Sequence, residues 1–185
     1  MANIFKKITE KNNTKVAIIV EVSGNHQNSY KKLEKLIYDI SKMGADIVKF
    51  QVYKPETITI KSNKKDFLIP KKNPWSNHKN LFDLYKHAHT PWMWIEKLTK
   101  ILKKKKINWF ASVFDETSVK FLERLGCQAY KIASPEINDI ELIRTVSKTK
   151  KPIFFSTGMA NLNDIVLAVK NIKKFHNHYA ILKCT

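Results

Sequence analysis

Short β-branched apolar runs alternate with stretches of helical periodicity along most of the chain. Val16-Ala17-Ile18-Ile19-Val20 is the first run, and it ends in Glu21-Val22-Ser23-Gly24-Asn25-His26. The pattern predicts a buried strand that opens into a polar loop. From Tyr30 to Met43 the apolar positions Leu33, Leu36, Ile37 and Ile40 follow helical spacing, and Gly44 suits a C-cap. Asp46 to Gln51 predicts a second strand, again polar near its exit. Strand, helix and strand in about thirty residues make a βαβ unit, which requires a parallel sheet.

The alternation continues after a long excursion from Val52 to about Asn80, which carries Pro55, Pro70 and Pro74. A connection of that length inside a compact domain is functional or mobile. Leu81 to His89 predicts a helix. Thr90-Pro91 then predicts an N-cap with proline at the first helical position, opening a helix through Lys104. Further strands are predicted at Asn108 to Phe114, Ala129 to Ala133, Pro152 to Gly158 and Tyr179 to Thr185. Between them lie a helix capped by Asp115 and running to Leu125, a short one from Asp139 to Ser147, and one from Asn161 to Phe175.

Six strands in strict alternation with helices leave two α/β architectures, an open doubly wound sheet or an eight-stranded TIM barrel that is incomplete. No Gly-x-Gly-x-x-Gly follows the first strand, and the chain has only 4 glycines, which argues against a dinucleotide fold. Polar residues at every strand exit favour the barrel, whose mouth draws on all strands together. An apolar last strand with no covering helix points to a truncated chain of about six of eight strands. The expected organisation is a polar N-terminal segment over 1–15 and the N-terminal part of a barrel over 16–185. Two unpaired strand edges would make such a chain poorly soluble.

The formal net charge of +18 raises the question of nucleic acid, but it does not change the picture. Arg124 and Arg144 are the only arginines, and the lysines are scattered over many predicted helices, as a composition biased toward A and T codons would leave them. The run Lys103-Lys104-Lys105-Lys106 falls at a predicted helix end, where cations complement the macrodipole. No window approaches the ~18 apolar residues of a membrane span. The first fifteen residues lack the pattern of a secretory signal. Cys127 and Cys184 are far apart and read as reduced thiols, so a cytoplasmic protein with neither nucleic acid nor membrane as partner is expected.

Candidate chemistry lies at the strand ends. Glu21 and Glu136 are carboxylates, Lys49 and Lys131 cations, and Ser112, Ser134 and Ser156 hydroxyl donors. Lysines and hydroxyls converging on one point make an anion site for phosphate or carboxylate. Lys49 and Lys131 carry most weight, because an ammonium flanked by apolar residues is costly to bury without a partner. His87 and His89 are two apart on a helix and do not share a face. His176 and His178 would share a face if extended, with no third ligand nearby. Trp92 and Trp94 read as helix packing. His26, just past the first strand, is open to either a site or a structural role.

Several of these stretches together resemble the sialic acid synthase family. They are Glu-Val-Ser-Gly-Asn-His at 21–26, Gly-Ala-Asp-Ile-Val-Lys-Phe-Gln at 44–51, Thr-Pro-Trp at 90–92 and Ser-Val-Phe-Asp at 112–115. Tyr-Lys-Ile-Ala-Ser-Pro-Glu at 130–136, Ser-Thr-Gly-Met-Ala at 156–160 and Leu-Lys-Cys-Thr at 182–185 complete the set. Thr-Pro-Trp and the Leu-Lys-Cys-Thr ending look most like the pseudaminic acid branch, although Met93 and Ile95 stand where that branch usually has Glu and His. The resemblance implies condensation of phosphoenolpyruvate with an open-chain N-acetylated amino sugar, giving a nine-carbon 2-keto acid and phosphate. It implies that Lys49, Ser112, Lys131, Ser134 and Ser156 hold phosphoenolpyruvate and that Gln51, Asn25 and His26 face the sugar. Glu21 and Glu136 would act at the reacting carbons. The complete enzyme would use a divalent metal, Mn2+ or Mg2+, through ligands beyond Thr185, and would form a homodimer. A chain ending here is expected to be inactive alone, and a remnant that binds phosphoenolpyruvate or a partner chain without turnover is the alternative.

Overall fold

The computed structural model describes residues 4–8 and 16–184, without the side chains of Lys6 and Lys7. Six strands form one parallel sheet, β1 (Ile19–Glu21), β2 (Ile47–Val52), β3 (Asn108–Val113), β4 (Tyr130–Ile132), β5 (Ile153–Ser156) and β6 (Tyr179–Leu182). Each strand pairs with the next in sequence, in the order β1-β2-β3-β4-β5-β6. The sheet curls into an incomplete TIM barrel, the one of the two architectures that the polar strand exits favour. Its helices are α1 (Ile4–Ile8), α2 (Tyr30–Lys42), α3 (Pro55–Ile58), α4 (Leu81–Ala88), α5 (Trp92–Lys104), α6 (Glu116–Arg124), α7 (Ile140–Lys148) and α8 (Leu162–Lys173). None is long and apolar enough to cross a membrane.

Local chemistry sets most helix ends. The Ser29 side chain accepts the Lys32 N–H at the start of α2, whose buried stripe is Leu33, Ile37 and Ile40. Gly44, at φ +76°, makes the left-handed turn that follows. Asp115 accepts the Thr117 and Ser118 N–H groups to open α6, and Asn161 and Asp164 cap α8 reciprocally. The start of α5 departs from expectation. The cap position is Pro91, with no side-chain capping bond, while the Thr90 hydroxyl turns inward to His26.

The segment expected to be a polar tail contributes to the core. Phe5 on α1 is fully buried, with its ring 5.3 Å from Phe110 and 6.4 Å from Phe154, edge to face. Side chains two apart on a strand share a face, so Phe110 lies on the same face as Ser112 and Phe154 on the same face as Ser156. Phe5 therefore closes the floor of the half-barrel one layer beneath those serines. The rest of the 1–15 segment, like Thr185, lies outside the described residues. Among the described residues the outer edges of β1 and β6 have no strand partner, and Ile18 (56% exposed) and Ile181 (48%) stand on those edges.

Candidate active site

The register gathers the charged residues. Glu21 pairs with Lys49 across β1 and β2, Gln51 with Ser112 across β2 and β3, and Ser112 with Lys131 across β3 and β4. Directly opposed residues on neighbouring strands project from the same face, so Glu21, Lys49, Gln51, Ser112 and Lys131 line one inner surface. Ser156 joins them, since its hydroxyl accepts from the Lys131 ammonium at 2.5 Å.

Lys49 stands between a carboxylate and a hydroxyl. Its ammonium contacts the Glu21 carboxylate and lies 3.5 Å from Ser112 Oγ. Burial and the neighbouring Lys131 charge push it down to about 8, with the Glu21 carboxylate working in the opposite direction. Lys131 is 8% exposed and donates also to the Ile132 carbonyl at 2.9 Å. Burial lowers it too, while Cys184 and Glu136 favour its charged form.

The loops after β4, β5 and β6 meet beside Lys131. A 310 turn, Ser134–Asn138, carries Ser134 and Glu136. Ser134 Oγ accepts the Gly158 N–H at 3.0 Å. A Cβ on Gly158 would lie 3.1 Å from Ser134 Oγ and 3.1 Å from Cys184 Cβ, so the close approach of these loops needs glycine. The Glu136 carboxyl is raised by burial, against the pull of Lys131, and its Oε2 is buried without a hydrogen-bond partner among the described residues. Glu21 Oε1 is in the same position. Two fixed ammonium groups, three hydroxyls and two carboxylates with unused acceptor atoms can hold a multiply charged anion and move a proton beside it.

Beside this cluster lies a cleft of about 700 Å³, bounded by the loop after β1, by β2, by the excursion and by α4. Gln51 and Asn25 line it, as do Tyr53, Pro70, Trp75 and Tyr85. The excursion is thus a wall, tied back by a bridge between Leu68 and Asn80. Tyr53 and Trp75 escaped the sequence reading; the cluster of Pro70, Pro74 and Trp75 in one connection was the available signal.

His26 does not reach the cleft. It is fully buried, its Nδ1 accepts the Asn28 N–H at 3.0 Å, and its Nε2 bonds Thr90 Oγ1 at 3.1 Å. With Nδ1 an acceptor, the ring is neutral with its proton on Nε2, and burial keeps its pKa low. It ties the loop after β1 to the start of α5, against Trp94, and the expectation of a sugar contact is corrected to a structural role. Trp92 stacks on Phe121 at 4.5 Å, as packing predicts. The His87 ring lies 5.2 Å from His78, whereas His89 bonds the Lys86 carbonyl. His176 and His178 stack at 6.1 Å. Among the described residues no group of three or more His, Cys, Asp or Glu is placed to hold a metal ion. Cys127 is buried, which raises its thiol to about 12 and leaves it unreactive.

Comparison with known proteins shows the family of the chain. The NeuB family matches residues 36–185. The chain belongs to the NeuB family. The pseudaminic acid synthase of Campylobacter jejuni is 39% identical over 172 residues, covering 92% of this chain and 50% of that protein. The N,N'-diacetyllegionaminic acid synthase of Legionella pneumophila is 28% identical over 173 residues, 91% of this chain and 48% of that one. Among solved structures, the N-acetylneuraminic acid synthetase of Leptospira borgpetersenii superposes with a TM-score of 0.79 at 26% identity, over 96% of this chain and 58% of that one. This NeuB chain spans about half the length of the curated relatives it matches.

Proposed function

We propose that the chain carries the phosphoenolpyruvate-binding part of a synthase that condenses phosphoenolpyruvate with an N-acylated amino sugar. The product would be a nine-carbon, sialic-acid-like 2-keto acid, with release of phosphate. The observation that carries this reading is the pair of amines on one inner face, half-buried Lys49 beside Ser112 and buried Lys131 bonded to Ser156. Each lysine lowers the other's preference for its charged form, and phosphoenolpyruvate brings a phosphate and a carboxylate that would neutralise both.

In this site Lys49 and Lys131 neutralise the anion while Ser112, Ser134 and Ser156 donate to its oxygens. Gln51 and Asn25 orient the sugar from the cleft. The C3 carbon of phosphoenolpyruvate bonds to the sugar aldehyde carbon, water adds at the cationic C2, and the C2–O bond to phosphate breaks. Glu136, whose carboxyl is raised by burial, stabilises positive charge at C2 or passes a proton, and Glu21, in contact with Lys49, acts at the reacting carbons. The divalent metal implied by the family resemblance finds no ligand set among the described residues. The relatives named as pseudaminic and legionaminic acid synthases support a diacylated amino sugar as the second substrate. A second reading rests on the same lysine and serine cluster, in which the chain binds phosphoenolpyruvate without turning it over.

Calorimetric titration with phosphoenolpyruvate, followed by phosphate release in the presence of an acylamino sugar and Mn2+, separates the readings. Binding is expected, and Lys131→Met should weaken it about 10- to 100-fold, the worth of one charge-assisted contact. Binding without phosphate release would select the second reading. No binding by the folded chain would refute both.

A further inference from the structure

Lys49 has the surroundings of a nucleophilic amine as well as those of an anion ligand. It lies on the inner face of the barrel, half-buried, with a carboxylate against its Nζ, a hydroxyl 3.5 Å away and Lys131 on the same face two strands along. A carboxylate in contact with the amine can take its proton, a hydroxyl beside it can hold an oxo oxygen, and a cation on the same face can hold a substrate carboxylate. We propose that Lys49 captures 2-oxo acids covalently as an imine, an activity additional to the binding of phosphoenolpyruvate and independent of its turnover.

The surrounding groups supply each part of the step. Lys131, held by the Ser156 hydroxyl and the Ile132 carbonyl, fixes the carboxylate of the oxo acid. Ser112, opposite Lys131 in the sheet, donates to the oxo oxygen. Glu21 takes one proton from the Lys49 ammonium, and the free amine adds to C2 to form a carbinolamine. Glu21 then returns a proton to the C2 hydroxyl. The C–O bond breaks, water leaves and a protonated imine remains, with one C–N bond gained, no change of oxidation state and no further reactant. Lys131 does not compete, because its ammonium donates to two fixed acceptors and has no carboxylate in direct contact.

The test is to incubate the 185-residue chain with pyruvate and sodium borohydride and to read the intact mass and the peptide map. One reduced pyruvyl group per chain is expected, on the peptide holding Lys49, with the surface lysines left unmodified. Lactate, which has the carboxylate without the oxo group, should give no adduct. Lys49→Arg, which keeps the positive charge but cannot form an imine, should remove the adduct, and the wild-type map decides the matter if that variant fails to fold. An unmodified chain, or labelling spread over the surface lysines, would overturn the proposal. Because phosphoenolpyruvate binding is read by calorimetry without borohydride, failure here leaves the functional reading above standing, and the reverse also holds.

Discussion

The cationic pair makes a definite demand on stability. Lys49 has an ordinary value of 10.5 and is lowered to about 8 in the folded chain by burial and by Lys131. At pH 7 it is charged in both folded and unfolded states, so the folded state bears the whole cost of holding that charge. Between pH 8 and 10.5 the folded chain has lost the proton while the unfolded chain keeps it. Stability follows the excess of protons on the unfolded state, so the ligand-free protein must gain stability as pH rises through that window. The shift corresponds to about 3 kcal/mol, and the Glu21 carboxylate makes this a ceiling. Urea unfolding at pH 7, 8, 9 and 10 on the chain and on Lys49→Met measures it, because the difference between the two proteins isolates what the Lys49 amine contributes. The difference in unfolding free energy should change by about 1 to 3 kcal/mol in favour of the wild type across the series. Saturating phosphoenolpyruvate, by supplying the missing anion, should flatten it. Parallel pH profiles for the two proteins would refute the account of Lys49 as a charge held at a cost.

Two further outcomes follow from packing. Phe5→Ala removes a fully buried ring from between Phe110 and Phe154 and should lower stability by about 3 to 5 kcal/mol, read as a lower urea midpoint. Gly158→Ala places a methyl 3.1 Å from both Ser134 Oγ and Cys184 Cβ, so phosphoenolpyruvate should bind at least about tenfold more weakly in calorimetry, through the loss of one serine contact, while the fold persists by circular dichroism.

The site was legible to the extent that its residues break a local pattern. Lys49 and Lys131 interrupt apolar runs, and a charge in such a run stands out whatever the fold. Their partners were not legible, because the Glu21–Lys49 contact depends on the register of β1 against β2, and the Lys131–Ser156 bond spans 25 residues. His26 shows the converse. Its position after a strand suited a site, but its role was fixed by Thr90, 64 residues away. Phe5 lay within Ile-Phe-Lys-Lys-Ile, five residues too short for helical periodicity to stand out from a lysine-rich background.

By itself the sequence determined the alternation of strands and helices, the parallel sheet and the placing of carboxylates, amines and hydroxyls at strand ends. These depend on hydrophobic period and capping, which act over a few residues. Only the tertiary structure decided which of those groups share an inner face, which histidine is sealed in the core and where the excursion stands as a cleft wall. These depend on strand register and on packing between residues far apart in the chain, where a shift of one position would turn Lys49 away from Glu21 and Ser112.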